Sequence, residues 1–181
     1  MPEVPHPPTL EPRVVKAPNR GPFTLDGTRT FLVGKRDVAV IDPGPEVESH
    51  LRALFMILSG ASRVRILLTH HHGDHAAGAE KLAGLLGVPL YGPPSTRALL
   101  LEAGQEIHTD AGTLVTLSTP GHTRDHLSFH WPEAGALFVG DLVLGRGNTT
   151  WLGEYPGCVA QYLASLDQVE ELAPAILYPA H

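Results

Sequence analysis

Two short runs early in the chain, Thr30-Phe31-Leu32-Val33 and Val38-Ala39-Val40-Ile41, are rich in apolar and β-branched residues and are separated by the polar stretch Gly34 to Asp37. Such residues favour extended backbone and the glycine-led gap suits a turn, so the pattern predicts a hairpin. Asp42-Pro43-Gly44 stops the second strand. The period then changes: Val47, Leu51, Leu54, Phe55 and Leu58 recur at helical spacing until Ser59-Gly60 ends the run. Val64 to Leu68 is a short apolar strand, and Ala76 to Leu86 is helical again, closed by Gly87.

Further on, strands are predicted at Leu90-Tyr91, Glu106 to Thr109, Thr113 to Leu117, Leu127 to Trp131, Ala136 to Val139 and Ala175 to Tyr178. Helices are predicted at Pro94 to Glu102 and Gly157 to Leu172. Two groups of strands with interspersed helices suggest two sheets packed face to face with helices outside, although the pattern alone also allows other α/β layouts. Residues 1–22 differ in kind. Seven of the 17 prolines fall there, so this stretch is expected to run as an extended surface arm, with the fold beginning near Phe23 and occupying 23–181.

Composition narrows the function classes. Hydrophobic residues make up 43% and charged residues 18% of the 181 positions, which describes one folded domain. The formal charge of −6 argues against a clamp for duplex DNA, although bound divalent cations would change the field locally. With one cysteine, Cys158, there is no internal disulfide and no thiolate metal cage, so the cytoplasm is the expected compartment. The N-terminal residues lack the apolar stretch of a secretory signal, and Leu51 to Leu58 is too short to span a bilayer, so no membrane association is expected.

Histidine changes the picture most. Four of the 11 fall within six residues, His70, His71, His72 and His75, with Asp74 among them on a strand-to-helix loop. Residues two apart on extended backbone point the same way, so His70 and His72 can approach one ion while Asp74 and His75 approach a second. Neutral imidazole and carboxylate are ligands that zinc, iron and manganese accept. Three further candidates each follow a predicted strand: His122 in Thr119-Pro120-Gly121-His122-Thr123, Asp141 in Val139-Gly140-Asp141, and His181 in Tyr178-Pro179-Ala180-His181.

The ordered set His-x-His-x-Asp-His, Gly-His-Thr, Gly-Asp and a closing His resembles the metallo-β-lactamase superfamily, from Phe23 to the last residue. The resemblance implies a four-layer αβ/βα sandwich holding two divalent metal ions, with zinc expected and manganese or iron as alternatives. It implies that His70, His72 and His122 hold one ion, that Asp74, His75 and His181 hold the other, and that Asp141 bridges both. Asp141 stands where class B1 lactamases carry cysteine, so a penicillin is not the expected substrate. Residues 21–28, Thr119 to His126 and Gly145-x-Gly147-x-Thr149-Thr150 resemble more narrowly the β-lactamase-like protein 2 group, which includes an endoribonuclease acting on single-stranded RNA.

By that resemblance the chain is expected to be a hydrolase in which the ions share a hydroxide, Asp74 orients it and handles its proton, and no serine or cysteine nucleophile is needed. The expected substrate is a phosphodiester, single-stranded RNA included, or a small ester or thioester. A hydroxyacylglutathione thioesterase similar to glyoxalase II is one alternative. Another is a mononuclear iron persulfide dioxygenase using His70, His122 and Asp141.

Asp42 is either a turn former or the partner of a ligand histidine. His126 and Asp125 are either supports near His122 or structural. Arg124 and Arg146 are either anion grips or surface residues, and His71 is read as a surface or pocket-wall residue in preference to a ligand. His6, His50, His108 and His130 read as ordinary surface or strand residues, and Cys158 as a small buried apolar group. Because relatives continue past the closing histidine, either the sequence is a fragment of a longer protein or the second metal site is built on a terminal His181 expected to fray and to hold its ion weakly.

Overall fold

The computed structural model describes residues 10–145 and 150–181. The hairpin of the early apolar runs is present as β2 (Arg29–Val33) and β3 (Asp37–Ile41), antiparallel, with Leu32 opposite Val40. A first strand, β1 (Arg13–Lys16), pairs antiparallel with β2. The packed sheet therefore begins ahead of Phe23, and the stretch expected to be an arm contributes an edge strand. Edge placement is what its proline-flanked sequence permits, because an edge strand needs ladder bonds on one side only.

α1 (Glu48–Leu58) crosses over to β4 (Arg63–Leu67), which lies parallel to β3. α2 (Gly73–Ala76) and α3 (Ala79–Leu86) precede β5 (Leu90–Gly92) and β6 (Leu99–Leu100), giving a six-stranded sheet in the order β1-β2-β3-β4-β5-β6. The second sheet contains β7 (Glu106–Thr109), β8 (Gly112–Ser118), β9 (Leu127–Trp131), β10 (Ala136–Gly140) and β11 (Ile176–Pro179), in the order β11-β10-β9-β8-β7. α4 (Cys158–Leu172) lies between β10 and β11 in sequence and makes their parallel pairing possible.

Strand alternation sorts the side chains into layers. Phe31, Val33, Ala39 and Ile41 turn inward and meet Leu114, Phe129, Trp131 and Phe138 of the second sheet. Their neighbours Leu32, Val38 and Val40 turn outward and meet Leu51, Leu54, Leu58 and Leu82 of α1 and α3. On the far side, Leu137 and Val139 pack with Val169 of α4. The order is helix, sheet, sheet, helix, the four-layer αβ/βα sandwich that the resemblance implies. Among the described residues no helix is long and apolar enough to cross a membrane.

The expected helix over Pro94 to Glu102 is replaced by a turn and the two-residue strand β6. Thr96 folds back onto the Pro93 carbonyl through both its amide and its hydroxyl, and Ser95 gives its amide and hydroxyl to the Asp125 carboxylate. Local side-chain bonds of this kind compete with helix formation. Leu99 and Leu100 are exposed, so there is no apolar face to favour a helix either. The helix expected from Ala76 is divided at Ala77-Gly78, where a Cβ on Gly78 would stand 2.7 Å from a Leu51 methyl.

Candidate metal centre

All seven candidate donors lie at one end of the two sheets. Asp42 and His70 follow the adjacent parallel strands β3 and β4, His122 lies between β8 and β9, Asp141 follows β10 and His181 follows β11. Donor atoms of His70, His72 and His122 lie within 4.8 Å of one another, as do those of Asp74, His75, Asp141 and His181. Asp141 reaches both groups: Oδ2 is 3.6 Å from His122 Nε2, and Oδ1 is 3.3 Å from His75 Nε2 and 3.5 Å from His181 Nε2. His181 is not frayed. Its side chain is fully buried, and its carbonyl accepts the Gly145 amide at 2.9 Å.

Hydrogen bonds set the tautomers. Asp42 is buried, and its carboxylate accepts the Thr69 amide at 2.8 Å, the Thr69 hydroxyl at 2.7 Å and His75 Nδ1–H at 2.9 Å. Having donated to Asp42, the Thr69 hydroxyl accepts His70 Nδ1–H at 2.9 Å. His122 Nδ1–H donates to the Trp151 carbonyl at 3.0 Å, with the Thr150 hydroxyl also 3.0 Å away. In each imidazole the proton is thereby drawn to Nδ1, and the Nε2 lone pair turns into the cluster. His70 Nε2 and Asp141 Oδ1 are buried without a hydrogen-bond partner. Lone pairs converging from two sides with unpartnered buried atoms among them fit cations, which satisfy acceptors that no mutual hydrogen bonding can.

The electrostatics divide the two groups: burial would lower His75, but Asp141 and Asp42 outweigh it and hold this ring well above the usual imidazole range, so it carries a second proton that a bound metal would displace. Burial, reinforced by the neighbouring His75, holds His70 well below the usual imidazole range, and burial likewise lowers His122. Both are thus neutral and ligand-ready at ordinary pH. Burial alone would raise the carboxyls, but the histidines outweigh it, bringing Asp141 down to about 2 and Asp74 below the ordinary carboxylate range. His126 is brought to about 3 by burial. As a neutral ring it accepts the Asp141 amide at Nε2, 3.3 Å, while Nδ1 lies 3.0 Å from the Thr119 hydroxyl.

A cleft of about 780 Å³ opens onto His72, Asp74, His122 and Asp141, and its walls are Pro22, Phe23, Leu25, Leu144, Thr150, Trp151 and Leu152. The profile of the metallo-beta-lactamase superfamily matches residues 24–111 and 99–181. The chain belongs to the metallo-beta-lactamase superfamily. Within it, the chain is 34% identical over 177 residues to a beta-lactamase-like protein 2 homolog of Caenorhabditis elegans, covering 90% of this chain and 58% of that one. It is 32% identical over 180 residues to an atrochrysone carboxyl ACP thioesterase of Aspergillus fumigatus, covering 96% of this chain and 41% of the relative. Among solved structures, TTHA1623 in a di-iron-bound form superposes with a TM-score of 0.73 at 29% identity, covering 93% of this chain and 91% of that one. The chain spans about half the length of the curated relatives it matches.

Against this superfamily background, the remaining candidates separate. His71 is half-exposed, 3.3 Å from Glu154. The Asp125 carboxylate is taken up by the Ser95 amide and hydroxyl, and Arg124 stacks on the Tyr155 ring at 4.6 Å. Cys158 is buried, His108 is exposed, and Arg146 and His6 lie outside the described residues. His50, expected on the surface or in a strand, is buried in α1 with Nε2 3.1 Å from the Thr30 hydroxyl, which in turn donates to the Asp42 carbonyl.

Three supports escaped the sequence: Thr69, which joins His70 to Asp42; the Trp151 carbonyl; and Glu154, 3.4 Å from His72 Nε2. Thr69 adjoins His70 and was open to suspicion. Nothing in the spacing marks Glu154, because 82 residues separate it from His72.

Proposed function

We propose that this protein is a binuclear metal-dependent hydrolase acting on an ester or thioester with an apolar acyl group. The observation that carries this reading is the cleft: donors of both groups lie on its floor and its walls are apolar and aromatic. The relative named as an acyl-carrier thioesterase points the same way.

Two divalent cations, with zinc the first expectation from a histidine-rich donor set and iron or manganese compatible, would supply Lewis acidity and acidify water to a nucleophile near neutral pH. The chain's own residues do the rest. Asp42 and Thr69 hold His70 and His75 by Nδ1, which turns Nε2 of both toward the metal positions. Asp74, ionised and held by His181 at 3.0 Å, faces the cleft as an acceptor that orients a water. The apolar wall excludes bulk water from a bound acyl group.

A mononuclear centre on His70, His122 and Asp141 would leave Asp74, His75 and His181 converging without a function, so two separate donor groups favour two ions. Single-stranded RNA is a second reading, supported by two exposed aromatic faces at the cleft, Phe23 and Trp151.

The test pairs elemental analysis of protein purified without chelator with turnover of acyl thioesters of increasing chain length, lactoylglutathione, and labelled single-stranded RNA, each with zinc or manganese. Two ions per chain and metal-dependent thiol release that rises with acyl apolarity are expected. RNA cleavage without thioester turnover would reverse the order of the two readings, and one iron with oxygen uptake on a persulfide would overturn both.

A further inference from the structure

The five residues Thr150–Glu154 touch the first donor group twice, from outside. At one end, the Trp151 carbonyl and the buried Thr150 hydroxyl both lie 3.0 Å from His122 Nδ1. At the other, Glu154 Oε1 lies 3.4 Å from His72 Nε2 and 3.3 Å from His71 Nε2. His72 Nδ1 and His122 Nε2, the nitrogens opposite these anchors, face each other at 3.0 Å inside the cluster. The segment is tied down just beyond Glu154, where buried Tyr155 donates to Gln161 Oε1 at 2.6 Å and carries the Arg124 guanidinium on its ring. Between the anchors, Trp151 and Leu152 form part of the cleft wall.

A carbonyl and a carboxylate only accept hydrogen bonds, so each draws an imidazole proton outward and leaves a lone pair inward. Two rings presenting bare nitrogens to each other at 3.0 Å repel, and only a cation or a proton between them holds them that close. The segment thereby does for His72 and His122 what Asp42 and Thr69 do for His70 and His75, with residues that also shape the cleft.

We propose that Thr150–Glu154 is a positioning strap for the first metal: Glu154 and the Trp151 carbonyl fix His72 and His122 in the ligating tautomer, so this stretch of cleft wall and the ion at His70, His72 and His122 order together. The proposal rests on the reading of that triad as a metal site. Glu154 is a positioning residue, because it reaches the ion only through His72.

The test uses the full chain and zinc alone. Amide exchange across residues 150–154 is measured with and without zinc, and zinc affinities of the wild type, Glu154→Ala and Glu154→Gln are measured by competition with a chromophoric chelator. Zinc is expected to slow exchange in the strap. Glu154→Ala is expected to weaken one of two ions about 10–100-fold, the usual cost of losing a ligand's outer partner, with the other unchanged. Glu154→Gln, which keeps an accepting oxygen, is expected to recover most of the loss.

Failure to bind zinc at all would sink the metal reading itself. Two ions bound with unaltered affinities in Glu154→Ala, equal weakening of both, or no slowing of exchange in the wild type would overturn the strap alone. So would a third zinc in the wild type that Glu154→Ala removes, which would make His71, His72 and Glu154 a separate site.

Discussion

Replacing Asp42 with asparagine tests the logic of the centre most sharply. The two side chains have the same shape, and both tolerate the left-handed backbone that Asp42 adopts at φ 50°, so strain changes little. One amide oxygen can still accept the Thr69 amide, now 2.8 Å away, but an NH2 group must occupy the position that takes Thr69 Oγ1 at 2.7 Å and His75 Nδ1 at 2.9 Å. That NH2 is a donor. His75 can meet it only by moving its proton to Nε2, where the N–H then occupies the direction a metal must take.

A hydrogen bond to a charged group is worth about 1.5–3 kcal/mol, which corresponds to roughly 10–150-fold in affinity for the ion at Asp74, His75 and His181. His70 feels the change only through the Thr69 hydroxyl, which can still accept from it, so the ion at His70, His72 and His122 should weaken by less than about tenfold. Chelator competition followed by zinc resolves the two steps. Equal affinities for both ions in Asp42→Asn, or a larger loss at the first group than at the second, would refute the argument that Asp42 sets the His75 tautomer.

Two further outcomes are expected. Gly140→Ala would place a Cβ 2.8 Å from His126 Nε2 and from Thr69 Oγ1 at a residue with φ +50°, so urea unfolding should show a loss of about 1–3 kcal/mol together with weaker metal binding; an unchanged midpoint would mean the close approach relaxes freely. Asp110 accepts the Lys35 amide at 2.7 Å and the Arg36 amide at 2.9 Å, and these bonds hold its carboxyl below the usual range. A depressed folded value contributes stability that is present above the unfolded value of about 3.9 and is lost as the pH falls through the folded one. Asp110→Asn should therefore be less stable than the wild type at pH 7 and converge with it in acid, as read from urea midpoints at both pH values.

Alternation and periodicity made most of the fold legible. The hairpin of β2 and β3, the amphipathic run of α1 and the apolar strands of both sheets follow from side chains that must be buried on one face or two. Where the pattern misled, local chemistry had won. Pro93, Thr96 and the distant Asp125 make a turn of a stretch whose composition looked helical, and β1 gains strand structure only because β2 offers it an edge.

The seven candidate donors were visible in the sequence because metal chemistry restricts residue type and because several of them stand close together on single loops. Which nitrogen of each ring faces inward was not visible, since that depends on partners brought from elsewhere: Asp42 for His75, Trp151 for His122, Glu154 for His72. The terminal histidine looked exposed by its position and is buried by its neighbours. The cleft is also a product of folding, joining Pro22 and Phe23 to Leu144 and Trp151. The sequence by itself determined the alternation that builds the layers and the types of ligand available. Only the tertiary structure decided their protonation, orientation and surroundings, because hydrogen-bond direction and burial are properties of atoms in contact, and contact here is made between residues that the chain keeps far apart.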